Sequence, residues 1–257
     1  MVNGCPCLTL PNFSFAESHR RLGYDGLRWN RGMDMHIGLI GGIGPAATEV
    51  YYRAIVRAFA AAGQRLHLTI ANADTREMVA NMEAGRAAEQ AAIFAHYVDQ
   101  LRAGGCDAVA VTSMGGHFCI EELEKIATLP LLNAIPALDA FFAEHPARRI
   151  GLLGTRAVME SGLYGVGSVE IVAPVGDELG AAHQAYIALA AAGVATPDQR
   201  AFFRRAIRKL HDEQGADAVV LGGTDLSIAV DPDDFDFPIV DSALVHADAI
   251  VRAALLE

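Results

Sequence analysis

Four short stretches of this chain carry residue types that do chemistry. In Thr112-Ser-Met-Gly-Gly-His117, a hydroxyl at Ser113 stands four positions before an imidazole, a spacing at which one helical turn can bring a base to a weak proton carrier. In Gly222-Gly-Thr-Asp225, glycine amides and the Thr224 hydroxyl could grip a carboxylate, and Asp225 could orient a cation or a proton donor. Gly41-Gly-Ile-Gly-Pro-Ala-Ala-Thr48 lets backbone approach a ligand, and Pro45 can open a helix whose N–H groups face an anion. It lacks the Gly-Lys-Ser/Thr of a phosphate loop and the spacing of a dinucleotide fingerprint, so a ligand-free tight turn is the competing reading. Asn72-Ala-Asp-Thr-Arg76 offers a carboxylate and a guanidinium to a zwitterion, with a surface ion pair as the plain alternative.

These stretches need elements that place them at one site. His36-Ile-Gly-Leu-Ile-Gly41 resembles Arg149-Ile-Gly-Leu-Leu-Gly154, and Gly105-Cys-Asp-Ala-Val-Ala-Val111 resembles Gly215-Ala-Asp-Ala-Val-Val-Leu221. Gly38 to Asp107 spans 69 positions and Gly151 to Asp217 spans 66, so the chain holds an internal repeat. Short continuous apolar runs such as Leu68 to Ala71 alternate with helical stretches such as Arg86 to Ala103 and Pro197 to Glu213. Strands of that kind belong to parallel sheets covered on both faces, and ligands sit beyond their carboxyl ends. The expected fold is α/β, with two pseudo-symmetric, doubly wound parallel-sheet domains and a cleft between them. Residues 35–145 are expected to form the first repeat, 146–240 the second, and 241–257 a C-terminal helix packing back on the first.

Residues 1–34 lack helical or strand period and an apolar signal core, and read as a poorly structured extension, with Met35 a candidate natural start. Twenty basic residues against thirty-one acidic ones give a net charge of −11, which argues against nucleic acid or anionic lipid as a partner. No stretch reaches the ~18 consecutive apolar residues of a membrane span. Cys5, Cys7, Cys106 and Cys119 are too few and scattered for a disulfide framework and fit a reducing cytoplasm. The Cys5-x-Cys7 pair has no neighbours to complete a zinc site, and no metal site is expected.

From Met35 to near its end, the chain resembles the cofactor-independent aspartate/glutamate racemase family, especially its aspartate-racemase branch. The matching pieces are the Gly41 to Thr48 loop, the strand Cys106 to Val111 with His117 after it, Leu153-Gly-Thr-Arg-Ala-Val-Met-Glu-Ser-Gly-Leu-Tyr164, Leu221-Gly-Gly-Thr-Asp-Leu226, and Pro238-Ile-Val-Asp-Ser-Ala-Leu-Val-His246. The resemblance implies two α/β domains flanking an active site, neither pyridoxal phosphate nor metal, and a homodimer. It also implies a cysteine after each duplicated strand, the pair serving as base and acid on opposite faces of the substrate α-carbon. Those positions align here with Ser113 and Gly223, and the family's Asn-Thr after the first cysteine becomes Met114-Gly115, whereas His117, Thr224 and an acidic Asp225 are kept.

A thiol of pKa about 8.5 can be tuned to carry a proton either way, but a serine hydroxyl needs an adjacent base and glycine offers no proton. Classical two-cysteine racemisation of aspartate or glutamate is therefore expected to be very low or absent. Two classes of function stay open: a racemase-like enzyme acting on an acidic amino acid or related carboxylate, with altered chemistry such as one-sided proton transfer, and a catalytically silent carboxylate-binding protein. Ser113 and His117 are the expected catalytic residues. Gly42, Thr48, Asp74, Arg76, Gly115, Gly223 and Thr224 are expected to bind the ligand, with Arg76 on a second carboxylate. His117 has a packing alternative, Asp225 is expected to act as an N-cap, and His246, Asp241, Cys106 and Cys119 are expected to be structural.

Overall fold

A computed structural model describes residues 35–255; the extension Met1–Asp34 and its Cys5-x-Cys7 pair lie outside the described residues. In β1 (His36–Gly41), Ile37 and Leu39 turn to one face and Ile40 to the other, as the two-residue period of a strand requires. β3 (Ala108–Val111) follows suit, with Ala108 and Ala110 on the first face and Val109 and Val111 on the second. The first face is covered by Tyr51, Ile55 and Phe59 of α1 (Pro45–Ala62). Phe94, Val98 and Leu101 of α3 (Ala87–Ala103) and Leu123 of α4 (Ile120–Ile126) cover the second. With β2 (His67–Asn72) these strands make a parallel sheet in the order β2-β1-β3. The edge strand β2 is only partly covered, and Ile70 is 40% exposed. Between β2 and α3 lies α2 (Thr75–Glu83).

The second sheet repeats this plan in the order β5-β4-β6-β7, all parallel. Its strands are β4 (Arg149–Leu153), β5 (Glu170–Val172), β6 (Ala218–Leu221) and β7 (Ile239–Asp241). Tyr186 and Leu189 of α8 (Asp177–Ala192) and Phe203, Ile207 and Leu210 of α9 (Pro197–Asp212) pack on it. The same core takes Leu138 and Phe142 of α5 (Ala134–Glu144), which precedes β4. Two short helical segments follow β4, α6 (Arg156–Glu160) and α7 (Gly162–Gly165). The last helix, α10 (Ser242–Leu255), returns to the first half, where Ala243, Ala247 and Ile250 join Tyr51 and Ile55.

The repeat extends to single hydrogen bonds. Asp107 accepts the His36 N–H at 2.7 Å and Asp217 accepts the Arg149 N–H at 2.9 Å, so each aspartate staples the start of the central strand to its neighbour. Val109 donates to the Pro130 carbonyl and Val219 to that of Pro238, so a bridge at Leu131 does for the first sheet what β7 does for the second. Ile37 pairs with Ala108, and Ile150 with Ala218, so the recurring motifs occupy equivalent places. Among the described residues, no helix is long and apolar enough to cross a membrane.

Candidate functional site

β1 and β3 pair through Ile40 and Val111, and β4 and β6 through Leu153 and Leu221. One residue later, Thr112 N–H donates to the Ile40 carbonyl at 3.0 Å and Gly222 N–H to that of Leu153 at 2.7 Å. Ser113 and Gly223 thus leave their sheets at equivalent points, each leading into a turn of 3-10 helix, Gly115–Cys119 and Thr224–Ile228. The Gly222 amide belongs to the ladder, which corrects its expected part in gripping a carboxylate.

The glycine loop serves itself. Gly42, at φ 81°, donates its N–H to Thr48 Oγ1 at 2.9 Å, and that hydroxyl lies 3.3 Å from Thr112 Oγ1. A side chain at Gly42 would collide with Asn72 Oδ1, and its carbonyl takes the Thr75 hydroxyl. Gly42 and Thr48, expected as ligand contacts, therefore satisfy one another and close the turn. Pro45 does open α1, but the anion at that helix start is internal: a Cβ on Gly44 would stand 2.8 Å from Asp225 Oδ2, and the Ala47 N–H bonds the same carboxylate.

Asp74 and Arg76 need a similar correction. Asp74 caps α2, accepting the Arg76 N–H at 2.8 Å and the Glu77 N–H at 3.1 Å, and these bonds hold its pKa below the usual carboxylate value. The Arg76 side chain is 94% exposed and lies 3.9 Å from Asp74. The pair is a cap and a surface ion pair, as the plain alternative had it.

At the first strand end Ser113 is buried, 3% exposed, and its Oγ has the Gly116 N–H at 3.4 Å. His117 does not meet that hydroxyl. Its Nδ1 donates to the Ser113 carbonyl at 2.7 Å and its Nε2 accepts the Ala134 N–H at 3.3 Å, so both ring nitrogens are taken by backbone. Burial pushes its pKa down to about 4. This corrects the expected base for Ser113: His117 is a neutral tie between the turn and α5. His246 lies edge-on to it at 5.8 Å and is also fully engaged, with Nε2 donating to Leu132 and Nδ1 accepting from Tyr51. Cys119 donates to the Gly116 carbonyl, and burial pushes its thiol up to about 12, so it is packed rather than reactive. The second half closes over this end, with the Tyr164 hydroxyl on the Gly115 carbonyl at 3.3 Å and the Thr155 methyl beside Gly115.

The second strand end holds an arrangement that no sequence signal marked. An ideal Cβ on Gly223 would lie 2.3 Å from Tyr186 Cε2, so the tyrosine ring fills the space a side chain there would need. Gly223 has φ −109° and ψ 111°, open to any residue, so the obstacle is the ring and not the backbone. The Tyr186 hydroxyl donates to Asp225 Oδ2 at 3.0 Å. Asp225 is 1% exposed and lies inside its turn, whose N-cap is Gly223, so the expected capping role is corrected. Burial raises its pKa, while the Tyr186 hydroxyl and the Ala47 N–H pull the other way; the phenol is raised well above its ordinary value by burial and by the facing carboxylate. Among the described residues, Asp225 Oδ1 is enclosed without a hydrogen-bond partner, while the Thr224 hydroxyl lies beside that of Tyr186 and pulls the phenol pKa back down. Also among them, no three His, Cys, Asp or Glu side chains are grouped to hold a metal.

The structure thus brings Ser113, Gly115, Gly223, Thr224 and Asp225 to the junction of the halves, leaves Arg76 in solvent, and adds Tyr186, Tyr164 and Thr155. Tyr164 lies in a left-handed turn with Leu163, at φ 57° and 56°, and the matching piece Leu153 to Tyr164, which ends on it, is the sequence signal that could have singled it out. The fold has solved counterparts. A candidate Asp/Glu racemase from Yersinia pestis is 27% identical, with a TM-score of 0.74 over 86% of this chain and 99% of that one. An aspartate racemase homologue from Pyrococcus horikoshii OT3 is 23% identical, with a TM-score of 0.69 over 85% and 98%. The Picrophilus torridus aspartate racemase is 19% identical, with a TM-score of 0.69 over 86% and 94%. Residues 40–250, which include both strand ends and the elements that carry them, match the Asp/Glu/Hydantoin racemase family, and the chain belongs to it.

Proposed function

We propose that the junction between the halves takes a small carboxylate, an acidic amino acid or a close relative, and that two-sided racemisation does not operate there. Family membership supports the ligand class. The hydroxyls of Ser113 and Thr224 and the backbone at Gly115 and Gly223 are the groups proposed to hold it. The observation that carries the second part is the Tyr186 ring lying where a side chain on Gly223 would have to be. Ser113 lacks the base that His117 was expected to supply, since that ring is bound to backbone at both nitrogens. Neither face then has the thiol pair through which the family exchanges protons.

The test is calorimetry with both enantiomers of aspartate and glutamate, followed by chiral chromatography after long incubation. The expected result is binding of at least one acid without interconversion. Interconversion at an enzyme-like rate, ~1 s⁻¹ or faster, would overturn the proposal.

A further inference from the structure

We infer that Asp225 latches the two halves shut, and that a ligand enters the junction only after this carboxylate lets go of α1. The inference rests on the carboxylate site proposed above and supplies its control of access. The groups proposed to hold the ligand are enclosed: Ser113 is 3% exposed, Thr224 is 1% exposed, and Gly115 and Gly223 are buried. At the Ser113 end the covering groups come from the other half. Tyr164 and Thr155 lie over Gly115, and Met114 sinks its side chain into the apolar core of the second sheet. An acid the size of aspartate therefore meets Ser113 and Thr224 together only when the halves move apart. The chain crosses from Leu132 in one core to Ala134 in the other, and returns from Val240 to Ala243. These crossings tether the halves in any arrangement, and non-covalent contacts hold them shut.

Asp225 is the carboxylate among those contacts. α1 starts after Gly44, which has no side chain to cap it; Pro45 has no N–H, and the Thr48 N–H is taken by the Gly44 carbonyl at 3.2 Å. Asp225 arrives from the second half and takes the Ala47 N–H, at the end of the helix where a negative charge is favoured. It thus caps a helix of the other half rather than its own turn. Both sides are shaped for this contact. A Cβ on Gly44 would stand 2.8 Å from Oδ2, and the Tyr186 hydroxyl holds that oxygen from the second half at 3.0 Å. The latch acts while enclosed and touches neither ligand nor solvent. Only the open fraction of the protein binds, so entry is limited by opening and the apparent affinity scales with that fraction.

The first experiment is hydrogen–deuterium exchange of the full chain, read by peptide mass spectrometry. Asp225→Asn keeps the shape and removes the charge from the helix end. It should speed exchange in residues 112–117 about tenfold, although that segment belongs to the other half, while β1 and β4 exchange as in the parent. Acceleration confined to residues 44–48 makes Asp225 a local cap only and overturns the inference, as does no acceleration at all. If β1 and β4 accelerate as well, the variant has lost its fold, and Tyr164→Phe replaces it. That variant removes the other polar tie and should speed exchange in residues 112–117 and 222–224 several-fold over the same two strands; failure to do so overturns the inference. The second experiment is stopped-flow mixing with L- and D-aspartate and L- and D-glutamate. For an acid that binds, the observed rate should level off with concentration, and the plateau should rise in Asp225→Asn; a rate that climbs without limit, or a plateau unchanged in the variant, overturns the inference and leaves the carboxylate site standing. If none of the four acids binds, the site proposal fails, and the exchange experiment still decides the latch.

Discussion

Gly223→Ala should destabilise this protein although the backbone there suits alanine. The new Cβ would stand 2.3 Å from Tyr186 Cε2 and 2.8 Å from both Cδ2 and Cζ. Carbon atoms rest at about 3.5–4.0 Å, so the ring must retreat by more than an ångström. It has little freedom to do so: Tyr186 is 5% exposed on α8 and its hydroxyl is fastened to Asp225 at 3.0 Å. Overpacking of this kind costs about 1–3 kcal/mol, and loosening a hydrogen bond to a charged partner adds to it. Offsetting this, alanine restricts the unfolded chain and returns ~0.4–1 kcal/mol. A net loss of about 2–4 kcal/mol is expected, which at ~2–4 °C per kcal/mol for a chain of this size lowers Tm by roughly 5–15 °C. In a Tyr186→Ala background the space is vacant, so the same glycine substitution should cost almost nothing. The four proteins of this double-mutant cycle, followed by thermal unfolding, should therefore be strongly non-additive. Equal cost in both backgrounds, or no cost in the parent, would refute the steric argument. The cycle also bears on restoring the family's thiols, since Ser113→Cys with Gly223→Cys leaves the second cysteine no place while Tyr186 remains.

Three further outcomes are expected. His117 and His246 stay neutral in the fold down to about pH 4 and about pH 3, whereas unfolded histidines protonate near ~6.5, so stability present above that pH is lost as pH falls toward 4. Asp241, raised to about 6 by burial, offsets part of this loss by taking up a proton in the folded state first. The denaturant midpoint should fall between pH 7.5 and 4.5 while both histidine rings keep the NMR signature of the neutral form above pH 5; a ring titrating above pH 6 contradicts the assignment. Arg76→Ala should leave the affinity for aspartate or glutamate within about threefold in calorimetry, because its guanidinium stands in solvent; a tenfold loss would put Arg76 back in the site. Tyr164→Phe removes a bond between the halves and should lower stability by ~1 kcal/mol in denaturant titration, with no change meaning that the hydroxyl exchanges this contact for water at no cost.

The internal repeat, the two parallel sheets and the equivalence of the strand ends at Ser113 and Gly223 can all be read from the chain. Strand burial writes itself into continuous apolar runs, and a duplicated fold repeats them at fixed separation. The roles of single residues at the strand ends could not be read in this way. His117 stands where a base for Ser113 would stand, but its partners are the carbonyl of Ser113 and the amide of Ala134, and backbone groups carry no residue identity. Asp74 and Arg76 have the right types for gripping a zwitterion, yet a helix begins between them and turns one into a cap and the other into a solvated cation. Gly44 and Gly223 look alike as spacers in a sequence, and only the folded chain shows that one leaves room for Asp225 and the other for Tyr186. A glycine records that space is needed and not what fills it, because the filler arrives from a segment distant along the chain; Tyr186 lies in an Ala-rich helix 37 positions before Gly223. Which atom occupies the second face was therefore decided by how α8 packs on its sheet.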